Sequence, residues 1–415
     1  MIQSADMATV RPFAAVRPRP DRAADVASVP YDVVDAREAR ELARGNPSSF
    51  LHVVRAEIDL PEDVDPHADE VYAQAARAYR ELRDEGTLIQ DETPGLYLYR
   101  LEVDGHSQTA VVGCCSVDEY EADVVKKHEG TRPDKENDRV RHILETGIQA
   151  GPVFMTYRGQ QAIDDTVRDI RESTEPCYEF TAADGVRHTV WRAPDARPLV
   201  AAFGEVPSLY VADGHHRSAS AARARAARRD ANAAHTGDEE YNVFLAALFP
   251  ADQVRILAYN RVAHDLGGSG PGGFLERLRE SFQVTAAAAP APNRPGTFSM
   301  YLDGSWYALA PRPGVVQTDD PVEALDAAVL QRVVLGPLLG IDDPRLSDRI
   351  DFVGGIRGTR ELERRVDRRG AGVAFSLFPV SLEQLMTVAD AGRFLPPKST
   401  WFEPKLRSGL LVHEI

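Results

Sequence analysis

The chain has 415 residues, 43% of them hydrophobic, enough to bury a sizeable core in two or three lobes and too apolar for disorder to be the default. Its 48 basic against 64 acidic residues leave a net charge of −16. That balance argues against wrapping nucleic acid, where neutralising phosphates drives binding. Three cysteines without metal-ligand spacing, no signal-like N-terminus and no apolar window approaching about eighteen residues predict a reducing, cytoplasmic setting without a membrane span.

In chain order, Val29-Pro30-Tyr31-Asp32 and Asn46-Pro47-Ser48 read as turns. A strand is expected after the second, with His52 and Arg55 on one face. Val71, Ala75, Ala78 and Leu82 mark one face of a helix over 70–85, stopped by Gly86. Three hairpins are expected around Asp-Gly dipeptides: 96–103 with 109–117, 177–181 with 187–191, and 298–302 with 306–309. Cys114 and Cys115 lie in one of these strands as core residues. Asp320-Pro321 opens a helix expected to run through Leu339, and Ser381 with Gln384 forms a capping box for 382–391, closed by Gly392. Glycine-rich 266–273 and Ala/Pro-rich 286–296 read as breaks. Hairpins and helices without a βαβ rhythm predict an α+β fold of mixed sheets with flanking helices. Three lobes are expected: 1–110, a central phosphate-handling core at 111–265, and 266–415, which contributes a pocket segment.

The chemistry concentrates in three stretches. At 210–217, an apolar strand ending in Ala212 runs into Asp213-Gly214-His215-His216-Arg217, and an Ala/Arg stretch from Ser218 reads as a helix. A glycine at a strand-to-helix turn lets the backbone approach a ligand, and the helix start favours anions. A polar turn whose histidines cap the helix is the bland alternative. A metal centre is another: Asp213, His215 and His216, with His128 and Glu129, are suitable ligands for Zn²⁺ or Mn²⁺.

The second stretch runs from Lys126 through Lys127, His128, Glu129, Gly130, Thr131, Arg132 and Pro133 to His142. A solvated charged helix is the usual meaning of such a run, but Gly130 and Pro133 interrupt it where charge is densest. Glu129 is the candidate general base, and Lys126, Lys127 and Arg132 are candidates for phosphate oxygens. The third stretch, Pro396-Pro397-Lys398-Ser399-Thr400-Trp401-Phe402-Glu403-Pro404-Lys405, is extended or turned because of its prolines. Its aromatics either stack on a base or dock in the core. Lys398, Ser399, Thr400 and Lys405 are its candidate ligand-binding residues. No Gly-rich loop ends in Gly-Lys-Ser/Thr, so a P-loop kinase is excluded.

Six blocks together resemble the bacterial and archaeal domain-of-unknown-function family numbered 1015, over nearly the whole chain from about Arg11 to Leu410. They are Val29-Pro30-Tyr31-Asp32, Asn46-Pro47-Ser48-Ser49-Phe50, Lys127-His128-Glu129 with Thr131-Arg132, Gly151-Pro152-Val153-Phe154, Ala212 through Arg217, and Pro396 through Phe402. The Asp213–Arg217 motif is also similar to one in free-serine kinases with a ParB/sulfiredoxin-like fold, which phosphorylate L-serine to O-phospho-L-serine. That resemblance implies a ParB/sulfiredoxin-like core and an ATP-dependent phosphotransferase acting on an alcohol group. Glu129 would deprotonate the serine hydroxyl, Asp213 would orient Mg²⁺ or the hydroxyl, and His215, His216 and Arg217 would hold the phosphate. Glu129, Asp213 and His216 are thus the expected catalytic residues. Lys127, His128, Arg132, Gly214, His215, Arg217, Lys398, Ser399, Thr400 and Lys405 are expected to bind phosphate or nucleotide, and Asp213 the metal. A metal-dependent phosphohydrolase and a nucleotide-sensing regulator, or one binding DNA as ParB-type proteins do, are the competing readings. The expected partner is a small hydroxylated molecule, with oligomeric state left open.

Overall fold

Two of the three Asp-Gly turns carry left-handed backbone at both central residues, φ 50° and 74° at Asp104-Gly105 and 48° and 73° at Asp303-Gly304, the twist that tight hairpins require. All three expected hairpins are present in the computed structural model, which describes residues 7–316, 318–369 and 372–415. The chain is α+β, as its pattern predicts, with mixed sheets flanked by helices.

The chain divides into two compact units. One comprises the described residues up to Val254 together with Pro404–Ile415, and the other is Arg255–Glu403. Position 110–111, expected to separate the first two lobes, falls inside a strand of the first unit.

The first unit is organised by a nine-stranded sheet. Its strands are β1 (Val10–Arg11), β2 (Tyr97–Val103), β3 (His106–Ser116), β4 (Val125–Lys126), β5 (Val153–Tyr157), β6 (Tyr178–Thr181), β7 (Arg187–Arg192), β8 (Leu209–Asp213) and β9 (Val243–Pro250). Their spatial order is β4-β8-β5-β9-β3-β2-β7-β6, with β1 pairing β3. Every residue of β9 is buried, as expected of a central strand covered on both faces. Cys114 and Cys115 are buried in β3, and burial pushes both thiols up, which makes them inert packing residues.

Three helices shape the site region. Helix α1 (Asp69–Asp84) buries Val71, Ala75, Ala78 and Leu82, the face read from the sequence. Helix α2 (Pro133–Thr146) begins with its proline in the first turn, where the missing N–H removes no bond. Helix α3 (His215–Ala231) packs on α2. It buries mostly small residues (Ser218, Ser220, Ala221, Ala224) that allow close approach. Ser220 Oγ donates to Glu136 O at 3.4 Å, and Arg223 pairs with Glu136 at 3.1 Å.

The second unit has a six-stranded sheet of β10 (Tyr259–Ala263), β11 (Phe282–Ala286), β12 (Phe298–Leu302), β13 (Ser305–Pro311), β14 (Ile350–Gly354) and β15 (Val373–Leu377), in the order β11-β13-β12-β15-β10-β14. Helix α4 (Asp326–Leu330) continues directly into a π-helical turn, Gln331–Leu335. Helix α5 (Leu382–Asp390) carries the expected capping box from Ser381 and Gln384.

Two sequence expectations require correction. The segment after Ser49 is a helix, Leu51–Val54, not a strand. Its turn is set by the Asn46 side chain, which accepts from Ser48 N at 3.1 Å, while His52 pairs with Asp59 and Arg55 with Glu57. The helix expected from Asp320 starts at Asp326, because the Asp320 carboxylate caps a separate turn through Val322 N and Glu323 N.

Candidate functional site

The site forms where two strands of the first unit end side by side. The two-residue strand β4 pairs in parallel with β8, Val125 opposite Leu209 and Lys126 opposite Tyr210. Parallel strands leave the sheet in the same direction, so the segment after Lys126 emerges next to the segment after Asp213. This brings together residues more than eighty positions apart in sequence, as the bond from His128 N to His215 Nε2 records.

Strand β8 does not end regularly. Its register against β5 shifts between Val211, opposite Met155, and Asp213, opposite Phe154, a bulge that re-aims the side chains beyond it. Gly214 follows at φ 98°, where a Cβ would meet Val153 Cα at 3.5 Å and Arg217 Cδ at 3.6 Å. Those are ordinary contacts, so the left-handed backbone is what demands glycine here. Helix α3 then starts at His215, three residues earlier than its Ala/Arg composition suggests. His215, His216 and Arg217 therefore occupy its first turn, and the Arg217 N–H donates back to Gly214 O at 2.8 Å.

Each side chain of the motif has a defined place. Asp213 Oδ2 accepts from Lys405 Nζ at 2.6 Å, and the two side chains keep 30% and 17% of their exposure. Partial burial alone would raise this carboxyl's pKa, but Lys405 and Arg217 outweigh it and hold the group well below the usual carboxylate range. Arg217 Nη1 donates to Pro152 O at 2.9 Å, Nη2 reaches Asp32 at 3.5 Å, and the guanidinium lies 5.9 Å from the Tyr31 ring. Burial beside Asp32 pushes the Tyr31 hydroxyl up to about 12, so it stays protonated. His216 Nε2 accepts from the Arg132 backbone N–H at 3.0 Å, which ties the first turn of α3 to the loop before α2.

His215 and His128 meet edge to face with ring centroids 4.4 Å apart, and His215 Nε2 accepts from the His128 backbone N–H at 3.4 Å. Burial lowers the His128 pKa to about 4. Burial together with His128 lowers that of His215 well below its ordinary value. Both rings are neutral near pH 7. Among the described residues, neither His128 ring nitrogen has a hydrogen-bond partner of good geometry. One ligand atom each from His128, Glu129 and His215 lies within 4.8 Å of the others, a set of two imidazoles and a carboxylate suited to a borderline transition metal. The Asp213 carboxylate faces two cations, Lys405 and Arg217.

Lys405 reaches the site because its segment is anchored within the first unit. The Arg407 backbone N–H donates to the Tyr99 hydroxyl at 3.3 Å, the Arg407 guanidinium pairs with Asp184, and Ser408 exchanges backbone bonds with Ser28. Other expected residues are placed differently. The Lys127 ammonium donates to Tyr120 O at 2.7 Å and pairs with Asp123. The Arg132 guanidinium is exposed and pairs with Asp134 at 2.8 Å.

Lys398, Ser399 and Thr400 belong to the second unit. There Ser399 Oγ donates to Pro396 O at 2.6 Å, and Lys398 lies 5.9 Å from the Tyr259 ring. Of the two roles open to the aromatics, Phe402 takes the docking one, being buried in strand 401–403. Trp401 packs against Tyr259 and over Gly354, whose hypothetical Cβ would sit 2.5 Å from the indole. Tyr31 and Asp32 read from sequence as a turn and Pro152 as part of a family block, and nothing local announces that they meet Arg217. Among the described residues no helix is long and apolar enough to cross a membrane.

No curated protein matches the sequence. Among solved structures, a free serine kinase in complex with AMP aligns at 13% identity and TM-score 0.35, covering 72% of this chain and 91% of that one. A conserved hypothetical protein from Pyrococcus furiosus aligns at 13% identity and TM-score 0.35, covering 73% and 94%. C-terminally truncated SbnI from Staphylococcus aureus aligns at 13% identity and TM-score 0.39, covering 73% and 87%. Likeness at this level is too weak to argue from. Residues 10–328, by contrast, match a family profile directly, and the chain belongs to the family described as Protein of unknown function (DUF1015).

Proposed function

We propose that the chain is an ATP-dependent small-molecule kinase that transfers a phosphoryl group to a hydroxyl, free L-serine or a similar metabolite being the acceptor. The observation that carries this reading is the convergence of Glu129, the Asp213–Lys405 pair and Arg217 on the start of α3. Phosphoryl transfer asks mainly for positioning and charge neutralisation around a loose transition state. The dipole at the start of α3 favours an anion there, and Lys405 and Arg217 supply fixed positive charge for phosphate oxygens.

In this mechanism Glu129 accepts the acceptor's hydroxyl proton as its oxygen bonds to the γ-phosphorus and the bridge to ADP breaks. Asp213 holds Lys405 in place and orients the hydroxyl, while His216, positioned by the Arg132 backbone, donates to a phosphate oxygen. Mg²⁺ would arrive with the nucleotide and neutralise its phosphates, with Asp213 as the candidate protein ligand.

A second reading is favoured by the His128–Glu129–His215 grouping. Two neutral imidazoles and a carboxylate suit Zn²⁺ or Mn²⁺ better than Mg²⁺, which fits a metal-dependent phosphohydrolase.

One experiment separates these readings: incubation of the purified protein with Mg-ATP and a panel of hydroxylated metabolites, following ADP and phosphorylated product. The kinase forms ADP only with an acceptor. Phosphate release without an acceptor, with stoichiometric Zn²⁺ or Mn²⁺ in the purified protein, would establish the hydrolase instead. Tight nucleotide binding without turnover would leave a sensor.

A further inference from the structure

The second unit contains a cavity of about 260 Å³. Among the residues that line it are Arg261, Gln331, Asp342, Asp343, Arg345 and Pro397. Arg261 projects from β10 and is buried to 97%. Its guanidinium donates to two backbone carbonyls, Tyr259 O at 2.6 Å and Pro397 O at 3.2 Å, and lies 4.6 Å from the Phe352 ring. Among the described residues no carboxylate pairs with it. Burial lowers its pKa to about 10, so it is still a cation near pH 7. A buried cation without a counter-charge is costly unless something supplies the anion.

A second group in the same cavity is also unsatisfied. Gln331 opens the π-helical turn, a local geometry that recurs at functional sites. Its Nε2 donates to Ile341 O at 2.7 Å and Asp342 O at 3.2 Å, which fixes the amide orientation. The buried Oε1 then has no donor among the described residues. Asp343 is neutralised by Arg345 at 2.7 Å, so the wall carries two arginines against two aspartates. A cavity with one unanswered cation, one unanswered acceptor and no net charge on these groups fits a zwitterion better than a phosphate dianion. Its volume suits a ligand smaller than a drug-sized molecule.

We infer that this cavity binds a free amino acid, its carboxylate on Arg261 and its ammonium toward Gln331 Oε1 and Asp342. Arg261 forms the charge-assisted carboxylate contact, and the acceptors opposite select an amino group over a plain carboxylic acid. The site is separate from the residues assigned to catalysis and stands whether or not the kinase reading holds.

The test is calorimetric titration of the full chain with the common L-amino acids, with acetate and inorganic phosphate as comparison ligands. At least one amino acid should bind saturably at or below about 1 mM, and its affinity should fall at least tenfold in Arg261→Met. Gln331→Met should weaken that amino acid while leaving its des-amino acid unaffected, and it supplies a second readout should Arg261→Met fail to fold. Glu129→Gln should retain the Arg261-dependent binding, which separates this site from the one at α3. The proposal is overturned if phosphate binds more tightly than every amino acid through Arg261, if no amino acid binds, or if binding survives in folded Arg261→Met and Gln331→Met proteins.

Discussion

Lys405 and Arg261 are both cations withdrawn from water, and they differ in what answers them. Lys405 faces the Asp213 carboxylate at 2.6 Å, and that carboxylate also feels Arg217, itself turned toward Asp32. Among the described residues, Arg261 has two carbonyls and an aromatic ring and no carboxylate. The first arrangement is internally balanced, so a ligand there must reorganise existing ion pairs. That is suited to chemistry in which charge moves during reaction. The second is left unbalanced and is completed by whatever binds. Burial alone identifies neither as functional; the presence or absence of the counter-charge distinguishes them.

The comparison is broken most directly by deleting each cation. Lys405→Met leaves the Asp213 carboxylate half-buried beside fewer cations and should destabilise the protein by about 1–3 kcal/mol in urea unfolding, with loss of turnover. Arg261→Met removes a charge that has no partner and should cost less than about 1 kcal/mol; equal losses in both would erase the distinction drawn here. Gly214→Ala should cost about 1–2 kcal/mol, because φ 98° strains any residue with a Cβ.

The pH dependence tests the neutral rings beside the balanced pair. His128 titrates near 4 when folded, below its ordinary 6.5. The unfolded chain therefore takes up this proton first as pH falls. Stability is fully present above pH 6.5 and declines as pH drops toward 4, and His128→Asn should flatten part of that slope in pH-dependent melting. Glu129→Gln is the smallest perturbation to folding, within about 0.5 kcal/mol, yet should lower turnover by about 100-fold or more.

What the sequence made legible follows from how local each signal is. The Asp-Gly hairpins, the buried stripe of α1 and the Ser381 capping box depend on residues a few positions apart, and all are present. The meeting of Glu129 with His215 depends on β4, a strand of two residues whose parallel partner lies about eighty positions downstream. Nothing near Val125 signals that pairing. Helix α3 starts ahead of its Ala/Arg stretch because Gly214 turns the chain sharply enough for two histidines to enter a helix they would not by propensity begin. Lys405 was recognisable as a donor, but its carboxylate partner was not. The π turn at Gln331, which creates the unanswered acceptor of the second cavity, leaves no periodic trace that distinguishes it from ordinary helix.

The chain leaves the first unit at Val254 and returns at Pro404, and both crossing points touch the beginning of β3. Gln253 accepts from Thr109 N at 2.9 Å, and Pro404 O accepts from Gln108 Nε2 at 3.5 Å. Just beyond them, Arg255–Leu257 and Trp401–Glu403 run as an antiparallel ladder. The 149 residues of the second unit are therefore spliced into the first through a two-stranded stem, like a cassette in a permissive loop. Replacing them with a short glycine-serine bridge should give a miniaturised protein that keeps Asp213, Glu129 and Lys405 in one piece. The excised cassette can then be studied as a binding module in its own right.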